Sequence, residues 1–176
     1  MSQGSELEWV EKVQEWVIPG HRCWIFASSR PISVTNPQVS QPIAEMLDTW
    51  TVHGEPIEGR CGLFLDHFLI FARDESRIPI SGCAMGQMRD SLRILEKRCE
   101  TEILDGGRIA YLGPEGVVIC SRPDFSQRIR EGEIHPETTV FDLTVASTDA
   151  VIEGKFQLPL KESWHAQLFA RAQTPT

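Results

Sequence analysis

Phe68-Leu69-Ile70-Phe71-Ala72-Arg73-Asp74-Glu75, followed after a short loop by Ser81-Gly82-Cys83, is the stretch on which the reading of the fold turns. Its first part is an apolar run of strand length that gives way to acids, so it reads as a strand leading to a helix N-terminus. Cys61 to Leu65 is a second apolar run, and the intervening Asp66-His67 suits a tight antiparallel turn, so residues 60–73 are expected to form a hairpin. Downstream, Met85, Met88, Leu92, Leu95 and Cys99 step by three and four, while Arg89, Arg93, Glu96 and Lys97 fill the other face. That spacing predicts an amphipathic helix over 83–104, ended by Asp105-Gly106-Gly107.

Upstream, Ser5 and Glu8 form a capping-box pattern, and Val10, Val13 and Val17 recur at helical spacing before Pro19-Gly20, which predicts a helix over 6–17. Cys23 to Ser28 reads as a buried strand. From Ser40, with Pro42 in the first turn, Ile43, Met46, Leu47 and Trp50 predict a helix near 41–53 that Gly54 closes. Ile109 to Leu112 and Val117 to Cys120, around Gly113-Pro114-Glu115-Gly116, read as a further strand pair. A short helix from Ser121 to Arg130, a strand from Thr138 to Val145 and a helix from Ser163 to Ala172 complete the chain.

This order predicts an α+β fold in which one antiparallel sheet over 22–120 carries both long helices on one face, with a ferredoxin-like sandwich as the favoured arrangement. Residues 1–120 are expected to be the core domain, and 121–176 a small α/β appendage, either a second unit or part of the same domain.

The 176 residues carry 17 basic against 25 acidic side chains, a formal charge of −8, and no basic tract. Nucleic acid is therefore not an expected partner. No apolar run reaches the length of a membrane span, and the acidic, amphipathic N-terminus is unlike a signal peptide. Five cysteines, odd in number and without a CxxC pair, suggest neither a disulfide framework nor a zinc knuckle, and a reducing cytoplasm fits them. No metal or other cofactor is expected.

The chain resembles a small family of uncharacterised bacterial proteins that often carry the label "ABC transporter ATPase". The likeness rests on Trp24-Ile25-Phe26 leading to Arg30-Pro31, Trp50 with His53-Gly54, His67 through Ile70 leading to Asp74-Glu75, Ser81-Gly82-Cys83, Gly132 through Phe141, and Ser163-Trp164-His165-Ala166. It implies no activity. The label does not suit this chain, because a nucleotide-binding domain of that kind needs a GxxxxGK[ST] loop to cradle phosphates, and the sequence has none. Where the family continues Ser-Gly-Cys with Ser-Ile-Asp, this chain has Ala84, Met85 and Gly86, and Gln167 stands where an arginine usually follows the Ser-Trp-His-Ala tetrad. Residues 113–142, with Gly132-Glu133-Ile134-His135-Pro136-Glu137-Thr138-Thr139-Val140-Phe141, also look like bacterial GYF-related interaction modules, without the aromatic cluster that holds proline-rich peptides.

Cys83 is the candidate nucleophile, since a helix N-terminus lowers a thiol pKa; Ser81 and Gly82 share its turn. The packing reading, in which Gly82 and Cys83 are small residues that let the helix approach the sheet, is the one favoured, and Cys83 is expected to react with alkylating agents only on unfolding. His53 and His165 are the candidate bases, or else a helix C-cap and a neighbour packed against Trp164. Arg30 suits anion binding, with a strand-end ion pair to Asp74 or Glu75 as the expected role; the two acids suit acid–base chemistry or metal chelation with His165, with a solvated strand-end pair as the favoured reading, and Trp164 is a further candidate binding residue. Trp9 and Trp16, on the expected acidic helix, are interface candidates. The sequence thus favours a non-catalytic protein-interaction or regulatory domain with a protein partner or self-association, and sets against it a small thiol-dependent or acid–base enzyme using Cys83 with His53 or His165.

Overall fold

The computed structural model describes residues 6–174. The first half contains β1 (Leu7–Val10), α1 (Val13–Trp16), β2 (Arg22–Ala27), α2 (Pro37–Thr49), β3 (Thr51–Val52), β4 (Glu55–Pro56), β5 (Arg60–Phe64), β6 (Phe68–Arg73) and α3 (Gly82–Cys99). The second contains β7 (Ile109–Gly113), β8 (Gly116–Cys120), α4 (Arg122–Arg130), β9 (Thr139–Phe141), α5 (Thr148–Ile152), β10 (Gln157–Pro159), a 3-10 turn at Leu160–Glu162 and α6 (Ala166–Gln173).

The class is α+β, as the sequence predicts, but there are two main sheets rather than one. The first has strand order β1-β5-β6-β2 and the second β10-β9-β7-β8, with β3 and β4 as a separate ribbon. All pairings are antiparallel except β1 with β5, where Leu7 lies against Cys61 and Val10 against Phe64. A ferredoxin-like sandwich therefore does not describe the molecule. Because β7 pairs with β9, strands on both sides of residue 120 belong to one sheet.

The alternation of strand side chains builds the layers. β6 is buried along its whole length, with Leu69 and Phe71 turned to one core and Phe68, Ile70 and Ala72 to another. The first core holds Val39, Ile43, Met46 and Leu47 of α2 and Ala84, Met88, Leu92 and Leu95 of α3, so both helices cover one face of the sheet, as expected. The opposite face packs on the second sheet through Phe64, Phe68, Phe141 and Phe156, with Phe68 and Phe141 centroids 4.5 Å apart. Ile109, Tyr111 and Val140 face away from that junction and form a third core with Phe125 and Ile129 of α4 and Ala172 of α6. The result is four layers, with helices outside and two sheets inside.

The helix expected over 6–17 is the largest correction. Leu7–Val10 is a strand, and only Val13–Trp16 makes a helical turn; Ser5, half of the expected capping box, lies outside the described residues. A short isolated helix is marginal, whereas pairing with β5 satisfies the backbone and buries Leu7 and Val10. Glu8 fixes the arrangement by accepting from Trp16 Nε1 at 2.8 Å and from Arg60 Nη2 at 2.8 Å. Gly62 makes the close approach possible, since a Cβ there would sit 2.5 Å from Val10 Cγ2.

Other boundaries move for local reasons. α2 starts at Pro37 because Asn36 is the cap, its side chain accepting from Gln38 N–H at 3.0 Å. α3 stops at Cys99 because Glu100 takes a left-handed conformation and the Glu96 carboxylate accepts from Ile103 and Leu104 N–H at 2.6 and 2.8 Å. The strand expected over 138–145 is only Thr139–Phe141, and α5 and β10 have no counterpart in the sequence reading. Among the described residues no helix is long and apolar enough to cross a membrane.

Candidate functional site

A cleft of about 480 Å³ opens beside β2, the edge strand of the first sheet, where the two halves of the chain meet. Ile25, Phe26, Phe141 and Leu143 form its apolar wall. Four arginines line it: Arg89 and Arg93 from α3, Arg108 ahead of β7, and Arg122 at the start of α4. Arg93 donates to Asp90 at 2.7 Å, and Arg108 pairs with Asp105 and Glu102. Arg89 and Arg122 have no ion pair among the described residues. The Arg122 guanidinium instead lies 5.7 Å from the centre of the Trp164 ring.

Trp164 is fixed on both sides. Its Nε1 donates to Asp142 at 3.1 Å, Asp142 is held in turn by Thr144 Oγ1 at 2.6 Å, and the ring stacks on His165 with centroids 4.0 Å apart. His165 is only 1% exposed. Burial holds its pKa down to about 4, with Arg122 pushing the same way and Asp142 against it, so the ring is neutral. Ser163 Oγ donates to the Leu160 carbonyl at 3.0 Å and is 2.9 Å from His165 Nδ1. With the single hydroxyl proton committed to Leu160, Nδ1 carries the ring hydrogen and donates to Ser163.

The residues singled out in the sequence do not gather at one place. Trp164 and His165 line the cleft; Cys83, His53, Arg30, Asp74, Glu75, Ser81 and Gly82 do not. Cys83 lies in the first turn of α3, six residues before Arg89, or about 9 Å along the axis. It is exposed, and a Cβ on Gly82 would meet nothing within 4 Å, so neither residue is small in order to pack closely and the expected protection of the Cys83 thiol in the folded chain does not hold. Ser81 is the N-cap, accepting from Ala84 N–H at 3.2 Å. His53 is exposed at the β3–β4 turn with φ 51°, next to Gly54 at φ 83°, so it takes part in a hairpin turn and not in a helix C-cap.

The expected ion pair between Arg30 and Asp74 or Glu75 is absent, because antiparallel pairing of β2 with β6 puts these residues at opposite ends of the sheet. Arg30 is tied through its backbone, its N–H donating to Thr101 Oγ1 at 3.1 Å. Asp74 accepts from Ser76 N–H, which lowers its pKa, and Glu75 accepts from Ile80 N–H at 2.8 Å and lies 3.8 Å from Arg22. Trp9 is exposed on β1, whereas Trp16 is covered by Arg60, 4.4 Å above its ring. No group of three His, Cys, Asp or Glu residues among those described is placed to hold a metal ion.

The sequence reading missed the arginines. Arg89 and Arg93 share one helix face and were visible as such, but Arg108 and Arg122 are brought to them only by the packing of the two sheets. Compared with known proteins, the chain matches no family model, no curated protein and no solved structure.

Proposed function

We propose that the protein is a non-catalytic interaction domain whose cleft beside β2 takes an acidic segment of a partner protein. The observation that carries this reading is the gathering of four of the chain's 17 basic residues around one cleft with Trp164, in a molecule of formal charge −8. Arg93 and Arg108 are balanced by Asp90, Asp105 and Glu102, so the attraction for an acidic ligand rests on Arg89 and Arg122, while the overall negative charge disfavours such a ligand elsewhere. Arg89 and Arg122 supply donors for carboxylates, and the held Trp164 ring supplies a rigid contact surface. His165 lends support, because a buried neutral imidazole whose Nδ1–H is given to Ser163 orients the tryptophan. The cytoplasm remains the proposed setting, in keeping with five free thiols.

The test is fluorescence anisotropy with a labelled polyglutamate peptide. The wild-type chain is expected to bind it saturably and more weakly as salt rises. Arg89→Ala combined with Arg122→Ala is expected to weaken binding by about tenfold or more. Equal binding by the double variant, or none by the wild type, overturns the proposal; concentration-dependent self-association lost in the double variant would make a second copy the partner instead.

A further inference from the structure

A second cleft, of about 560 Å³, lies at the other end of the first sheet and holds an unusual charge. Arg73, the last residue of β6, is 4% exposed, and its Nε and Nη1 have no hydrogen-bond partner among the described residues. A guanidinium cannot shed its proton, so burial without a partner carries a heavy desolvation penalty. The face of Trp50, 5.9 Å from the guanidinium carbon, offsets part of it but accepts none of these hydrogen bonds.

The neighbouring groups are spoken for or turned elsewhere. Arg60 is engaged by Glu8 and by the Trp16 carbonyl at 3.0 Å. The Asp74 carboxylate accepts from Ser76 N–H at 2.8 Å; its charge is felt by Arg73 and His21, but among the described residues it forms no hydrogen bond or ion pair with either. His21, which also lines this cleft, is pinned through its backbone by Thr148, and its Nδ1 is buried and unpaired among the described residues. Arg77 lines the same cleft, while Ile18, Pro56, Ile57 and Ile78 make its walls apolar.

We propose that this cleft is a binding site for a small organic carboxylate, its charged end on Arg73 with His21 and Arg77 beside it and its apolar body against the isoleucines. One buried, unpaired positive charge matches one carboxylate. The carboxylates of Glu58 and Asp74, which also line the cleft, disfavour a multiply charged anion such as phosphate. The volume is that of a small-molecule site.

Calorimetry with straight-chain carboxylates from acetate to hexanoate, using the full chain, tests the proposal. Binding is expected to tighten by roughly fourfold for each added methylene. Arg73→Met, which keeps the apolar stem and removes the charge, is expected to weaken hexanoate by about tenfold or more. Its melting temperature without carboxylate is expected to equal or exceed that of the wild type, because an unpaired buried cation has been removed. Arg77→Gln, at an exposed position, tests the same site without threatening the fold and is expected to weaken hexanoate, whereas Arg89→Ala in the other cleft leaves it unchanged. The proposal is overturned by hexanoate failing to bind in the millimolar range, by inorganic phosphate binding as tightly as hexanoate, or by unchanged hexanoate affinity in Arg73→Met. A lower melting temperature for Arg73→Met also overturns it, since that result makes the Arg73 charge, through its contact with Trp50, a net support of the fold rather than an uncompensated one.

Discussion

Lowering the pH from near 7 to near 4 should destabilise the protein more than it destabilises a His165→Phe variant. The ring sits 1% exposed between Trp164 and Phe125, and burial takes its pKa from 6.5 to about 4. Above pH 6.5 the histidine is neutral in both folded and unfolded chains and contributes no pH dependence. Between 6.5 and about 4 the unfolded chain takes up a proton that the folded chain refuses, so stability falls as pH falls; below that window both are protonated and the effect is complete. A gap of about 2.5 pH units, at about 1.4 kcal/mol each, amounts to about 3.5 kcal/mol in full, of which about 3 kcal/mol is lost by pH 4, where the folded-state histidine is half protonated. Urea unfolding of both proteins across this range measures it. Taking the difference between them cancels the carboxylates, Asp74 included, whose lowered pKa adds its own loss of stability at acid pH. A stability difference that stays constant with pH would refute the buried, neutral imidazole.

Three further outcomes are expected. Gly62→Ala should cost about 1–3 kcal/mol in chemical denaturation, since its Cβ would meet Val10 and the Trp16 ring; an unchanged midpoint would show that β1 and α1 do not press on β5 as described. In the folded protein iodoacetamide should label Cys83 while Cys23, Cys61 and Cys120 stay protected, because the latter are buried and burial raises their thiol pKa, for Cys23 and Cys120 to about 11; peptide mass spectrometry showing Cys83 protected would contradict its exposure. Calorimetry with magnesium and ATP should show no binding, since the sequence has no phosphate loop, and tight magnesium-dependent binding would reverse that conclusion.

The elements legible in the sequence are those whose signal is local. The β5–β6 hairpin, the stripe of α3 and the β7–β8 pair follow from apolar runs, turn residues and helical spacing. What could not be read locally was partner choice. Val10, Val13 and Val17 have helical spacing and are indeed buried, but pairing with a strand some fifty residues away decides the conformation of Leu7–Val10. Nothing in β7 announces that its Ala110 face meets β6 while its Tyr111 face meets α4, because a strand buried on both sides has no polar face to orient it. The candidate site divides in the same way. Trp164 and His165 stand out in a compact motif, whereas nothing in the sequence around Arg73 signals its burial or its unpaired donors.

The central claim, that the arginine cleft beside β2 takes an acidic segment, is most directly tested by nuclear magnetic resonance on the isotope-labelled chain during titration with the polyglutamate peptide. The indole N–H of Trp164, bonded to Asp142, reports on the cleft, and those of Trp50 and Trp16, bonded to Ala84 and Glu8, serve as internal controls. The account predicts a saturable shift of the Trp164 signal together with the side-chain signals of Arg89 and Arg122, and little movement of the two controls. Shifts confined to surfaces away from Trp164, or none at all, would contradict it.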